Sequence, residues 1–138
     1  MATCPFCAVV DGTSAAHVVL DDDVAVAFLD VRPVFKGHVL VVPRRHVVTL
    51  PDLDPADVDG LFRRVQLLSA ALPEALGCDG TFVAINNVVS QSVAHLHVHV
   101  VPRRRKDGLR GFFWPRTKYA DHAEAESYAA SIRAVLNR

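Results

Sequence analysis

Three histidines alternate with apolar residues in the segment 95–102, which reads His-Leu-His-Val-His-Val-Val-Pro. In a β-strand, successive side chains point to opposite faces, so His95, His97 and His99 would share one face of a sheet. Imidazole titrates near neutral pH and can serve as a nucleophile, an acid, a base or a metal ligand. The spacing therefore predicts a histidine-based site, with a metal-only cluster or a half-exposed strand face as the alternatives.

Two cysteines near the start of the sequence, Cys4 and Cys7, offer a second chemistry. A Cys-x-x-Cys pair can be a redox pair, but that motif normally follows a strand and opens a helix. Structural zinc is the better interpretation, and it needs further ligands, which histidines brought in by the fold would supply. The rival is a catalytic zinc held by the three alternating histidines, which leaves the cysteines unexplained.

The elements that must position these side chains follow from the periodicity of the apolar residues. Short apolar or alternating runs predict strands, and the first two of them form a hairpin across three consecutive aspartates. The predicted strands are 18–20, 24–29, 38–42, 81–85 and 95–102. Together with two main helices they indicate an α+β fold with an antiparallel sheet of about five strands.

Both main helices are predicted from apolar residues at steps of three and four. The first begins with Asp54 as the N-cap, Pro73 is expected to bend or end it, and Gly77 is a candidate terminal stop. The second covers about 123–136, within a helical tail of about 121–138. Its apolar residues are expected to face inward, and they are Tyr128, Ile132, Val135 and Leu136.

Length and charge limit the functions that the chain can have. Its 138 residues suit a single domain, 1–138. The 15 basic and 15 acidic residues cancel, which argues against a nucleic-acid polymer as the partner and favours a small-molecule substrate. The sequence shows no signal-peptide pattern and no apolar stretch long enough for a bilayer, so we expect no membrane partner. Three cysteines, an odd number, favour a reducing compartment and a cytoplasmic location.

Five ordered segments resemble the histidine triad (HIT) family, and they are distributed over most of the chain. They are Cys-Pro-Phe-Cys at 4–7, Ala-Phe-Leu-Asp at 27–30, Gly-His-Val-Leu-Val-Val-Pro-Arg-Arg-His at 37–46, Gln-Ser-Val at 91–93 and His-Leu-His-Val-His-Val-Val at 95–101. The resemblance implies a HIT-like fold, a homodimer, and a hydrolase or transferase that attacks the α-phosphate of a purine nucleotide. It also implies a covalent nucleotidyl-histidine intermediate.

The catalytic roles are carried over by position within these segments. The middle histidine, His97, would be the nucleophile, and His99 would share the phosphate or a proton with it. An imidazole nucleophile needs one nitrogen free to attack and the other held as a donor, which agrees with this choice. Ser92 would polarise the bond that breaks.

The resemblance also implies the residues that bind substrate. Phe28 would pack on the nucleobase and Asp30 would accept hydrogen bonds from the ribose, although core packing and a turn are equally good interpretations of these two. Asn86 and Gln91 would contact the phosphate or the leaving group. Trp114 belongs to an aromatic cluster that would line the active site of a partner subunit or pack in the core.

Metal-bearing members of the family use four positions that this sequence also has. They imply a structural zinc held by Cys4, Cys7, His46 and His95. In that arrangement His95 is a ligand and not a catalyst, and the metal ties the N-terminal segment to the start of the reactive strand.

Two features depart from the family pattern. The loop 87–90 has no glycine, which puts close approach of its backbone to a phosphate in doubt. The basic run 103–106 would bind distal phosphates or form a solvated turn.

The predicted function is hydrolysis of a dinucleoside polyphosphate or adenosine phosphoramidate through His97. The alternative is a nucleotide-binding regulatory or scaffold protein with little turnover.

Overall fold

A computed structural model of the chain describes residues 4–109 and 116–138. The described residues form five strands and three α-helices. In chain order these are α1 (Pro5–Val10), β1 (Val18–Asp21), β2 (Ala25–Leu29), β3 (Val39–Pro43), α2 (Pro55–Leu76), β4 (Gly80–Ala84), β5 (Val98–Arg103) and α3 (His122–Leu136). The α+β prediction is confirmed.

The five strands make one sheet with two differently covered faces. Their order is β1-β2-β3-β5-β4, and all neighbours are antiparallel. α2 buries Leu61 and its neighbours against one face, together with Val98 of β5. The opposite face carries Leu40 of β3, with Phe6 of α1 among the residues packed there. Because His99 pairs with Leu40 in the register of β3 and β5, His99 lies on the face that α1 covers.

The first main helix begins as predicted, continues past Pro73 and ends at the second of its two predicted stops. The Asp54 carboxylate caps its first turn, as expected. Pro73 does not end it, because the helix continues to Leu76 and stops at Gly77, whose φ of 66° lies in the left-handed region. A proline removes only one backbone donor, and the burial of Leu72 beside it favours the continued helix.

The histidine segment is shorter as a strand than predicted. β5 begins at Val98, so His95 and His97 precede it. In this part the Leu96 N–H donates to the Val47 carbonyl at 2.7 Å, and the His95 carbonyl accepts a hydrogen bond from the ring of His97. These contacts replace the regular ladder to β3, whose pairing with β5 starts at Val98.

The chain divides into two compact units. Met1–Asp107 contains the sheet with α1 and α2, and Gly108–Arg138 contains α3. The expectation that α3 turns its apolar side chains inward is wrong, since Tyr128, Ile132, Val135 and Leu136 are between 54% and 76% exposed. An amphipathic pattern predicts an apolar face, but it does not provide the element that covers it. A single domain over 1–138 stays a prediction.

Candidate active site and metal cluster

A cavity of about 400 Å³ opens on the face of the sheet that α1 covers. Phe6 and Val9 of α1 form part of its wall, and the sequence did not single them out. Their spacing of three residues places them on one side of a helical turn, which is the signal that would have found them. Five residues predicted for the site also line the cavity: Phe28, Asp30, Ser92, His97 and His99.

His97 is held in one tautomer. Its Nδ1 lies 2.8 Å from the carbonyl oxygen of His95. A carbonyl can only accept, so Nδ1 carries the hydrogen, and a lone pair of the ring, when it is present, is on Nε2. The ring of Phe6 packs edge-on against His97, with centroids 5.1 Å apart. A buried imidazole with one nitrogen fixed and the other free is the arrangement that a histidine nucleophile requires.

His99 lies between His97 and a further histidine, His38. The Nε2 of His38 is 2.9 Å from the Nδ1 of His99, and the ring centroids of His99 and His97 are 5.0 Å apart. Burial is the main cause that lowers the pKa of His99 to about 4, and electrostatic repulsion from the nearby His97 and His38 lowers it further. Burial also lowers the pKa of His38, although Asp30 opposes this from 3.7 Å. Both rings are therefore neutral at pH 7.

The loop before His95 brings Ser92 to the cavity, but Asn86 and Gln91 do not line it. The Gln91 side chain is engaged within the loop, because its Oε1 accepts from the Val88 N–H at 3.1 Å and its Nε2 donates to the Val48 carbonyl at 2.6 Å. These bonds fix the backbone that leads to Ser92. A contact of Asn86 or Gln91 with substrate stays a prediction.

The same loop adopts a backbone conformation that its residues disfavour. Val88 has a φ of 70° and Ser90 a φ of 61°, and a β-branched residue rarely occupies this left-handed region. The Val89 N–H donates to the Asn87 carbonyl at 2.8 Å and helps to hold the turn. Such a conformation costs on the order of 1–3 kcal/mol and persists where surrounding contacts enforce it, often beside functional sites. The loop thus adopts the positive φ angles that glycine usually provides, although it contains no glycine.

Phe28 and Asp30 line the cavity and also have the core-packing and turn roles that the sequence allowed, while their contacts with a nucleotide stay a prediction. Phe28 is 4% exposed and packs edge-on against Phe6, with centroids 5.3 Å apart, so it is a core residue as well as part of the cavity wall. One oxygen of Asp30 accepts from the Arg32 N–H at 2.9 Å and shapes a turn. The other oxygen faces His38, at the edge of the cavity.

The four predicted metal ligands come together beside this cavity. The ligand atoms of Cys4, Cys7, His46 and His95 all lie within 4.8 Å of one another. The Nδ1 of His95 is 3.4 Å from the Cys4 sulfur and 3.5 Å from the Cys7 sulfur. The Nδ1 of His46 is 3.3 Å from the Cys7 sulfur and 3.2 Å from the His95 Nδ1. Tetrahedral zinc, with bonds of about 2.3 Å to sulfur and about 2.0 Å to nitrogen, separates its ligand atoms by roughly 3.3–3.8 Å, so the donor set fits zinc.

His95 also has the outer contact that is typical of a zinc ligand. Its Nε2 lies 3.0 Å from the Pro43 carbonyl, which leaves the lone pair on Nδ1, the atom that faces the cluster. Burial lowers the pKa of His95 and raises the pKa of the Cys7 thiol, so a bound cation is what would favour the thiolate. His97 belongs to no group of metal-ligating atoms in the described residues. The idea of a catalytic zinc on all three alternating histidines is therefore wrong.

The basic run and the aromatic cluster complete the set of predicted features. Arg103 makes two hydrogen bonds to the Asp107 carboxylate, at 2.6 and 3.0 Å, and Arg104 donates to a backbone carbonyl at the end of α2. No residue of 103–106 lines the cavity, which favours the solvated turn. Trp114 lies outside the described residues 4–109 and 116–138, so its predicted role stays a prediction.

Fold and site define a class of domain: a five-stranded antiparallel sheet with a histidine cavity and a Cys/His cluster on the same face. The family model described as the HIT domain matches residues 11–106. The chain belongs to the histidine triad family, which confirms the resemblance seen in the sequence. Within the described residues, each helix is too short or too polar to cross a bilayer.

Two curated relatives carry functional names. The adenylylsulfatase HINT3 of Arabidopsis thaliana is 33% identical over 108 residues, which cover 77% of this chain and 55% of the relative. The asymmetrical bis(5'-nucleosyl)-tetraphosphatase of Schizosaccharomyces pombe is 35% identical over 83 residues, which cover 59% of this chain and 46% of the relative. The chain thus spans about half the length of each.

Solved structures of the family are similar to this chain. SMU.412c from Streptococcus mutans UA159 has a TM-score of 0.90 at 31% identity, covering 99% of this chain and 87% of that one. A Zn-bound histidine triad family protein from Mycobacterium smegmatis has a TM-score of 0.74 at 34% identity, covering 99% of this chain and 98% of that one.

Proposed function

We propose that this chain is a nucleotide hydrolase that acts through a covalent nucleotidyl-histidine intermediate on His97. The observation that carries the proposal is the hydrogen bond between the His97 Nδ1 and the His95 carbonyl, 2.8 Å long, inside the cavity. It fixes the tautomer with a free Nε2 and holds the ring against rotation. The family and the named relatives support hydrolysis of nucleotides.

The reaction has two steps at phosphorus. The Nε2 of His97 attacks the α-phosphorus, and the bond from phosphorus to the leaving group breaks as the new P–N bond forms. Water then attacks the phosphorus of the phosphoramidate, which releases a nucleoside monophosphate and restores His97. Ser92 and His99, which line the same cavity, would hold the phosphate oxygens and stabilise their charge as the leaving group departs.

Recognition of a purine nucleotide would use the apolar end of the cavity. Phe6 and Phe28 form an aromatic wall on which a base can pack, and Asp30 offers a carboxylate to the ribose hydroxyls. The leaving group distinguishes the candidate substrates, which are a dinucleoside polyphosphate, adenosine phosphoramidate and, after the name of the Arabidopsis relative, adenylyl sulfate. We also propose that the protein forms a homodimer and that it is located in the cytoplasm.

Zinc, in this proposal, is a structural ion held by Cys4, Cys7, His46 and His95. When bound, it supplies a crosslink between α1 and the segment before β5, and it takes no part in the chemistry. Support comes from the ligand spacing, from the bond of His95 to Pro43, and from the Zn-bound family member of Mycobacterium smegmatis.

Single-turnover incubation with each of the three substrates, quenched in base and followed by intact-protein mass, tests the mechanism. We expect an added nucleotidyl group on the wild type and none on His97→Ala, whose release of nucleoside monophosphate falls at least about a thousandfold. The matched control is His122→Ala, a change of an exposed histidine on α3.

Product release that survives in His97→Ala would overturn the mechanism. Tight binding of nucleotide by the wild type, without an adduct or a product from any substrate, would favour the alternative of a nucleotide-binding protein with little turnover. The substrate with the fastest adduct formation identifies the leaving group.

A further inference from the structure

We propose that Gln91 is a positioning residue that holds the loop 87–90 against the segment 47–50 and thereby sets the place of Ser92 in the cavity. Gln91 itself does not line the cavity, whereas Ser92, the next residue, does. The proposal rests on the proposed function for the role of Ser92, which is to hold a phosphate oxygen.

Both polar atoms of the Gln91 side chain are used by backbone groups. The Val88 N–H can only donate, so it fixes Oε1 as the acceptor at 3.1 Å. The Val48 carbonyl can only accept, so it fixes Nε2 as the donor at 2.6 Å. Gln91 is also partly buried, although the four residues before it are exposed. One side chain therefore joins the loop to a segment 43 residues earlier in the chain.

A second contact joins the loop to the same segment. The Leu50 N–H donates to the Asn87 Oδ1 at 2.8 Å. The segment is itself fixed to the chain that carries the histidines, because the Leu96 N–H donates to the Val47 carbonyl at 2.7 Å. The loop is thus held at both ends by one neighbouring segment, which also contacts the residue directly before the candidate nucleophile.

The loop depends on these contacts because its own side chains do not stabilise its shape. Val88 and Ser90 have φ angles of 70° and 61°, which residues other than glycine rarely adopt. The side chains of Val88 and Val89 are 76% and 78% exposed, so packing contributes little. Within the described residues, only the bonds of Asn87 and Gln91 connect the loop to another segment. Conformations of this kind persist only when surrounding contacts enforce them.

Loss of the Gln91 bonds would let the loop relax to more common φ angles. Such a relaxation would move Ser92 relative to His97, whose ring is held separately by the His95 carbonyl. A displacement on the order of 1 Å in the site can lower a rate about a hundredfold. The family resemblance implies a direct contact of Gln91 with the phosphate or the leaving group, which is the alternative role. The two roles differ in whether a change elsewhere in the loop can repair the loss.

Amide hydrogen exchange of the full, zinc-loaded chain, followed by NMR, measures the loop directly. Gln91→Ala removes both bonds, and we expect the Val88 amide to exchange at least about tenfold faster than in the wild type. Val89→Ala, a change of an exposed side chain in the same loop, should leave this rate unchanged. Unchanged exchange in Gln91→Ala would overturn the proposal. No turnover is needed, so this result is separate from that of the hydrolase mechanism.

Kinetics of the same variants test the effect on the reaction. We expect Gln91→Ala to lower kcat about tenfold to a hundredfold, with KM changed less than about threefold, and Val89→Ala to keep both. Adding Val88→Gly to Gln91→Ala should raise kcat again by about threefold or more, because glycine adopts a positive φ without support from other contacts.

Gln91→Glu separates the two bonds of the side chain. It keeps an acceptor for the Val88 N–H but cannot donate to the Val48 carbonyl, so we expect it to lose kcat as Gln91→Ala does. A wild-type kcat in both variants would overturn the proposal. A loss that Val88→Gly does not repair would also overturn it, and would favour a direct contact of Gln91 with the substrate.

Discussion

Each of the three alternating histidines has one nitrogen engaged in a hydrogen bond and the other free. His97 commits Nδ1 to the His95 carbonyl, His95 commits Nε2 to the Pro43 carbonyl, and His99 commits Nδ1 to His38. In the proposed function the three free nitrogens would differ in kind: a nucleophile on His97, a metal ligand on His95 and a contact to the phosphate on His99. Histidines spaced by two along the chain would thus obtain separate roles, because each one makes a different hydrogen bond.

Acid should destabilise the fold through His99. Folding lowers the pKa of His99 from 6.5 to about 4, mainly because the ring is buried, so the unfolded chain binds the proton more readily. The stability that neutral His99 contributes is complete above pH 6.5, and it is lost as the pH falls from about 6.5 to about 4. The loss is on the order of 1–3 kcal/mol, and urea unfolding of the zinc-loaded protein at a series of pH values measures it.

His99→Asn is the control for this pH dependence, because it removes the titrating group while other groups and the zinc ligands remain. We expect its stability to vary less than that of the wild type across the same pH range. Parallel curves for the two proteins, or a His99 ring that titrates near pH 6.5 by NMR, would contradict the prediction.

At the scale of elements, α1 connects the metal cluster to the cavity. The helix has only six residues and none of them is buried, so it is too short to be stable alone. Cys4 caps it and Cys7 lies within it, while Phe6 between them packs against both His97 and Phe28. Zinc bound to the cysteines would thus hold one wall of the substrate cavity in place.

Loss of the metal should therefore weaken nucleotide binding. Cys4→Ser removes one ligand, and we expect zinc content near zero by elemental analysis and a Tm lower by roughly 5 °C or more. The affinity for AMP, measured by calorimetry, should fall about tenfold or more, which is about 1.4 kcal/mol. Cys78→Ala, a change of a buried cysteine outside the cluster, should keep both zinc and affinity. A Cys4→Ser protein that loses zinc but binds AMP as before would show that α1 does not depend on the metal.

Local patterns predicted the elements well, because apolar periodicity records which faces are buried. The strands lie within a few residues of their predicted limits, and the Asp54 cap marks the start of α2. Contacts between distant segments were harder to predict. The pairing of His38 with His99, the engagement of Gln91 with the backbone of its own loop, and the irregular start of β5 depend on which segments the sheet brings together. No local pattern encodes these contacts.

At the scale of the molecule, the larger hydrophobic core and the candidate site lie on opposite faces of the sheet. α2 and the apolar face behind β5 form the larger core, so the histidines on the other face can serve the site without carrying that packing. The alternation within 95–100 reflects this division, because Leu96, Val98 and Val100 are fully buried on the side of α2. A substitution of one of the histidines is expected to change function more than stability. A substitution of Leu96, Val98 or Val100 is expected to change stability more than function.

The exposed apolar face of α3 supports the predicted homodimer. Tyr128, Ile132, Val135 and Leu136 recur at helical spacing and stay more than half exposed in the single chain, and such a stripe in water usually marks an interface. We expect light scattering to give twice the chain mass of 15.0 kDa for the wild type and the mass of one chain for Ile132→Glu. Ala134→Glu adds the same charge to the opposite side of α3 and should remain dimeric. Ile132→Glu should prevent dimerisation because an unpaired carboxylate buried among apolar side chains costs several kcal/mol. A monomeric wild type, or an Ile132→Glu protein that still dimerises, would contradict a dimer through α3.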